Sequence, residues 1–147
     1  MSSTPLNLAG ATEACFIGQF EAPQFTAHLS GSSEIEDLAI VADEVSLEAS
    51  GASELSGTIQ AKRAMANLTG ASKLDLIVNQ LSQMTMQLSG SSSSELKGAI
   101  TNLQATLSGA SEIDGEELAV SDLDLSLSGA SSADIRNSGT LRYKLSG

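Results

Sequence analysis

Aromatic residues make up only 3% of this 147-residue chain, and Trp is absent. A core assembled around large rings is therefore excluded, and whatever is buried must be packed from many small aliphatic contacts, which favours regular stacking. Cysteine is nearly absent as well. The single Cys15 cannot close an internal disulfide, and its apolar neighbours Ala14 and Phe16 suit a small buried hydrophobe. Basic residues are scarce, with seven Lys and Arg against eighteen Asp and Glu, a formal charge of −11. That balance excludes nucleic acid and anionic membrane surfaces as partners, because phosphate surfaces are held by clustered cations. The excess negative charge is read as serving solubility. No run of about 18 apolar residues occurs, so no membrane insertion is expected. The opening "MSSTPLNLAG" has neither a basic n-region nor an apolar h-region and does not read as a signal peptide.

What the chain does contain is a repeated phrase. Leu107-Ser108-Gly109-Ala110-Ser111 has near-copies throughout, and its glycine recurs as Gly10, Gly31, Gly51, Gly70, Gly90, Gly109, Gly129 and Gly147. The intervals are 21, 20, 19, 20, 19, 20 and 18 residues. A period near twenty marks a repeat architecture. Two, four and six residues before each glycine stand apolar residues: Leu29, Ala27 and Phe25; Leu88, Met86 and Met84; Leu107, Ala105 and Leu103; Leu145, Tyr143 and Leu141. The positions between them are mostly polar, as in Thr26, His28 and Ser30 or Arg142, Lys144 and Ser146. This is period-two alternation, the pattern of a strand with one buried face.

After the glycine come two small residues and then an aliphatic one, such as Ile35, Leu55, Leu74 or Ile113. Glycine beside small polar residues suits a sharp corner. In "GSSSSEL" (90–96) and "GASSADI" (129–135) two residues are added, so Leu96 and Ile135 keep their parity and point inward. A shorter apolar group follows, as in Leu38 and Ile40, Ile59, or Leu118 and Val120. Each unit reads as strand, corner, short strand and turn, with one buried side that it cannot cover alone; such units are stable when stacked. An antiparallel meander or sandwich competes with a parallel β-helix. Near-identical residues at one register favour the coil, whose equivalent positions lie about 4.8 Å apart. The expectation is one all-β domain over residues 1–147, a single-stranded parallel β-helix of about seven coils with roughly 20 residues per coil.

Phrases such as "VSLEASGASEL", "NLQATLSGASEI" and "TLRYKLSG" resemble the GIN-type domain of the auto-transporter adhesin (head GIN) family. The resemblance runs from "LNLAGATEA" to Gly147 and implies a right-handed β-helix in an exported or surface-attached protein. It implies adhesion in name and supplies no catalytic residue. Where that family often has a second glycine, this chain has Ser33, Ser53, Ser72, Ser92 and Ser111.

Chemistry is thinly supported. Asp122 and Asp124 lie on an outward face near Asp114, Glu116 and Glu117. They are read as a solvated acidic edge rather than a cation site, and no calcium-binding nonapeptide occurs. Glu13, Glu34 and Glu54 share the third position after the glycine, followed there by Lys73, so like charges should stack on successive coils. His28 shares an outward face with Ser30 but has no acid beside it in sequence, as a nucleophilic triad would require. Tyr143 reads as a core or end-capping residue. The Ser/Thr rank before the glycines does not suit ice binding, because its neighbouring rank holds His28, Glu48, Asn67, Gln87 and Lys144. No catalytic residue, cofactor or metal ligand is therefore named, and no ligand-binding residue is assigned.

The two ends look like ordinary coils, and open strand edges invite pairing. Either a longer parent has been trimmed or copies associate end to end or edge to edge. The leading expectation is a non-enzymatic extracytoplasmic structural or adhesive module, self-associating through its ends, with carbohydrate or a surface protein as partner. The alternative is a carbohydrate-binding or carbohydrate-active β-helix using the acidic edge at Asp122. Carboxylates beside a basic residue in a groove would favour that alternative; a smooth face would favour the module.

Overall fold

The glycine corners, the alternation and the twenty-residue period combine into one parallel sheet wound on itself. The structure is a computed structural model that describes residues 3–8, 10, 13–15 and 20–146, with the backbone alone at 3–8, 14, 15, 20, 80 and 138. The environment of the Cys15 side chain thus lies outside the described residues. Ten strands follow in order: β1 (Ser3–Leu8), β2 (Glu13–Cys15), β3 (Phe20–Leu29), β4 (Glu34–Ala49), β5 (Glu54–Gln60), β6 (Arg63–Leu68), β7 (Lys73–Leu88), β8 (Ser93–Leu107), β9 (Glu112–Ser128) and β10 (Ser132–Ser146). Every pairing among them is parallel. The β-solenoid has about six turns. The count of about seven included the interval from Gly10 to Gly31, part of which lies outside the described residues.

Register is held from coil to coil. Leu29, Ala49, Leu68, Leu88, Leu107, Leu127 and Leu145 form one ladder, each paired with the next. The adjacent inward ladder reads Ala27, Leu47, Ala66, Met86, Ala105, Leu125 and Tyr143, so small and large side chains alternate between neighbouring coils. That alternation fills a narrow interior with mostly aliphatic side chains, Phe25 being a buried ring among them, as close packing demands.

Each coil has three sides rather than the two strands read from the sequence. In β4 the inward series Ile35, Leu38, Ile40, Ala42, Val45 and Leu47 is interrupted by two exposed pairs, Glu36–Asp37 and Asp43–Glu44. Asp37 adopts φ 55 at the first of these corners, a left-handed conformation that Asp tolerates better than most residues. The second corner turns without breaking the strand, so the short apolar group and the long strand are one continuous element. At the third corner, Gly31, Gly51, Gly70, Gly90, Gly109 and Gly129 all have φ between 73 and 79. A Cβ on any of them would come within 2.5–2.7 Å of the preceding coil's glycine carbonyl oxygen. Both the conformation and the close approach require glycine.

The serines that replace a second glycine turn inward at this corner. Ser33, Ser53, Ser72, Ser92 and Ser111 are each 1% exposed. Their hydroxyls donate to the carbonyls of Ser30, Ser50, Thr69, Ser89 and Ser108 at 2.8–2.9 Å. A buried polar rank is thereby satisfied one corner at a time. The longer phrases are not longer corners. Leu74 pairs with Ser94, which pairs with Ile113, so Ser94 takes the aliphatic ladder position. Leu96 is buried as expected, but against Leu76 on the second side. Ser94 is left as a buried hydroxyl without a hydrogen-bond partner.

Candidate functional site

The third side of the coil, just past its second corner, carries a concave trough. Its floor is the buried ladder of Met84, Leu103 and Leu123, and its walls are the outward ranks on either side. One rank runs Gln83, Asn102, Asp122, Thr140 and the other Gln104, Asp124, Arg142, each residue in register with the next. These residues enclose about 470 Å³. A second depression of about 440 Å³ continues toward the N-terminal coils, shares Gln83, and is walled by Gln24, Glu44, Arg63, Ser46 and Met65. Strand geometry fixes this layout: alternate residues point outward, and parallel register repeats each outward position about every 4.8 Å along the axis.

The two halves differ electrostatically. In the N-terminal half Glu44 accepts a hydrogen bond from Gln24 Nε2 at 3.3 Å and pairs with Arg63 Nη1 at 3.8 Å. In the C-terminal half Asp122, Asp124 and Arg142 take part in none of the ion pairs present among the described residues. Asn137 supports the trough's last coil, donating to the carbonyls of Val120, Ser121 and Thr140 at 3.1–3.4 Å.

Asp122 and Asp124 therefore do not join Asp114, Glu116 and Glu117. The latter group lies on the first side and corner, where Asp114 Oδ1 accepts the Glu116 amide at 3.3 Å and Glu117 pairs with Lys97 at 3.9 Å. Among the described residues no group of three or more His, Cys, Asp or Glu side chains could hold a metal ion. What the structure places beside the aspartates is Arg142, eighteen residues on from Asp124 and directly in register with it. The sequence held that signal, because the last glycine interval is itself 18 residues.

The carboxylate stack is present. Glu13, Glu34 and Glu54 pair in register, followed by Lys73, whose Nζ lies 3.7 Å from Glu54 Oε1. The Glu34 carboxyl is held above its usual value, first by a hydrogen bond with Glu36, then by slight desolvation and by repulsion from Glu36, Glu13 and Glu54. His28 has an acidic partner that adjacency in sequence did not supply: Glu48 of the next coil lies against its Nδ1. Both are about half exposed, and the pair braces two coils at the surface. Tyr143 holds the last inward ladder position, in register with buried Leu125, and is 66% exposed because no further coil lies over it among the described residues.

The Ser/Thr rank before the glycines tethers neighbouring coils. Ser50, Thr69, Ser108 and Ser128 hydroxyls reach the preceding coil's carbonyls at 3.3–3.5 Å.

No curated protein and no solved structure matches the chain. A family model matches residues 43–147, which span the trough's C-terminal half and five of the glycine corners. The chain belongs to the family described as putative auto-transporter adhesin, head GIN domain.

Proposed function

We propose that this chain is a non-enzymatic extracytoplasmic module, structural or adhesive, that holds its partner along the third-side trough. The observation that supports this most is the trough's continuity. Amide, hydroxyl and carboxylate groups recur in register over successive coils above an apolar floor. A surface of that kind suits an extended partner, since each coil repeats the donor and acceptor positions of the last. Family membership supports a surface location and an adhesive role.

A second reading is favoured by one specific feature. Asp122, Asp124 and Arg142 lie together in the trough, a combination that suits carbohydrate recognition by polar side chains and, in a catalytic version, carboxylate chemistry on a glycosidic bond. The two readings separate on a glycan array and a reducing-end assay run with the same protein. Glycan binding without release of reducing ends supports an adhesive module with a carbohydrate partner and counts against the catalytic version. Replacing Asn102 and Gln104 with Arg should abolish that binding, while Thr58→Arg on the second side should leave it intact. Release of reducing ends that disappears in Asp122→Asn would overturn the non-enzymatic reading.

A further inference from the structure

The third side of the solenoid is not uniform along its axis. Its outward side chains are Gln83, Thr85 and Gln87 on β7 and Asn102, Gln104 and Thr106 on β8, paired one to one across the two coils. None of the six is ionisable. Every other coil among the described residues carries at least one ionisable group in these ranks, namely His28, Glu44, Arg63, Asp122 and Arg142 in turn. Two successive coils thus form an uncharged stretch in the middle of the trough. Thr85 is partly buried and the other five side chains are exposed. None of them takes part in a side-chain hydrogen bond or ion pair among the described residues.

Gln83 and Asn102 stand in one wall of the trough, and Thr85 and Gln104 in the other. A side-chain amide both donates and accepts, so each central coil can meet a hydroxyl in either direction. These groups recur about every 4.8 Å along the axis. An extended peptide laid along that axis turns equivalent groups to one wall only at every second residue, about 6.6 Å, and falls out of step within two coils. A chain of pyranose rings joined through equatorial oxygens instead advances by close to one coil spacing per ring. Its equatorial hydroxyls project to both edges of the chain, where the two walls stand. Met65, 55% exposed and in register with Thr85, offers apolar surface one coil further along for the C–H face of a ring.

We propose that the central coils of the trough seat an extended, uncharged glycan of equatorially linked pyranose rings, about one ring per coil. The inference rests on the trough being the partner's seat and names the partner's class. Charge narrows that class. A polyanionic glycan would approach a chain of net charge −11, with Asp122 and Asp124 on the coil next to Asn102 and Gln104, and repulsion opposes it. A polycation would find those two carboxylates at one end of the stretch only. On the other flank Glu44 already pairs with Arg63 at 3.8 Å. A glycan curved by axial linkages would leave the straight walls after a ring or two.

Titration calorimetry with three uncharged, equatorially linked hexasaccharides (cellohexaose, xylohexaose and mannohexaose) tests this. Maltohexaose, β-1,4-linked hexaglucuronate and a Ser/Thr repeat peptide serve as comparisons. At least one of the first three should bind, and maltohexaose and the hexaglucuronate should bind about tenfold more weakly or worse. Gln83→Ala with Asn102→Ala changes exposed side chains only and should leave circular dichroism unchanged. It should weaken the glycan by about tenfold, while Thr58→Ala on the second side should not alter binding. Affinity should climb from the disaccharide to the tetrasaccharide as rings reach successive coils. Absence of binding by all three at millimolar concentration would overturn the inference alone. Equal affinity for maltohexaose or the hexaglucuronate, or binding of the peptide in their place, would overturn the partner's class while leaving the trough as the seat, provided that the double variant abolishes it. Glycan binding indifferent to the double variant would overturn the trough itself.

Discussion

Leu107 and Leu145 occupy the same phrase, the same register and the same ladder, yet one is 0% and the other 66% exposed. The difference lies in what sits above each of them. Leu107 is roofed by the coil that begins after Gly109, while nothing among the described residues roofs Leu145. In a solenoid, burial belongs to the neighbouring repeat as much as to the residue itself, so energetic weight depends on position along the axis.

The sharpest way to break that comparison is a charge at each position. Leu107→Asp places an unpaired carboxylate inside the stack and should abolish cooperative folding. Leu145→Asp should cost less than about 1 kcal/mol. Thermal melts of the two variants check both outcomes. Equal losses would mean that the two coils are equally covered.

Glycine sharpens the same contrast at the opposite end. At Gly70, φ is 79 and an added Cβ would lie 2.7 Å from the Gly51 carbonyl oxygen, so Gly70→Ala should destabilise by about 2 kcal/mol or more. Gly10 has nearly the same φ, but among the described residues its Cβ would meet nothing within 4 Å. Gly10→Ala should therefore cost only the left-handed penalty, about 1 kcal/mol. Urea midpoints of the two variants would give the difference.

Two buried serines two residues apart make a third test. Ser92→Ala removes a hydroxyl bonded to the Ser89 carbonyl at 2.9 Å and should cost about 1–2 kcal/mol. Ser94→Val instead replaces an unpartnered buried hydroxyl within an aliphatic ladder and should stabilise by about 1 kcal/mol. Opposite signs are expected, and the same urea titration reads them.

The smallest effect comes from pH. Because the Glu34 carboxyl is held above its usual value of 4.5, the folded chain binds a proton there more readily than the unfolded one. Stability from this site rises as pH falls from neutral toward about 5, and is lost again as pH rises through the folded value. In Glu34→Gln that increment should be smaller, as measured by denaturation midpoints at the two pH values.

Most of the fold was legible because the repeat is short and its chemistry redundant. Repeated inward ladders, six similar glycine corners and period-two alternation within each side leave one economical arrangement. What escaped the sequence reading was local. The turn read between the short apolar group and the long strand falls in β4 at the exposed pair Asp43 and Glu44, but a parallel coil can round such a corner without breaking its hydrogen bonds, so the element is a single long strand. "GSSSSEL" read as a lengthened corner because serine suits corners. Only the pairing of Leu74 with Ser94 reveals that the extra residues belong to the first side. The trough was less legible still. Asp122 and Asp124 stood out as carboxylates, but grouping them with Asp114, Glu116 and Glu117 followed nearness along the chain. In a solenoid the relevant neighbour lies about twenty residues away, which is how Arg142 comes into register with Asp124 and how Glu48 pairs with His28.

Spin labels can measure the spacing of in-register parallel coils directly. In a Cys15→Ser background, nitroxides at the exposed positions Gln87 and Thr106 should broaden each other strongly, because the two residues pair directly one coil apart. Moving the second label to Lys144, three coils along and about 15 Å away, should remove most of that broadening. Sharp, independent spectra from the Gln87 and Thr106 pair would contradict the coil register itself.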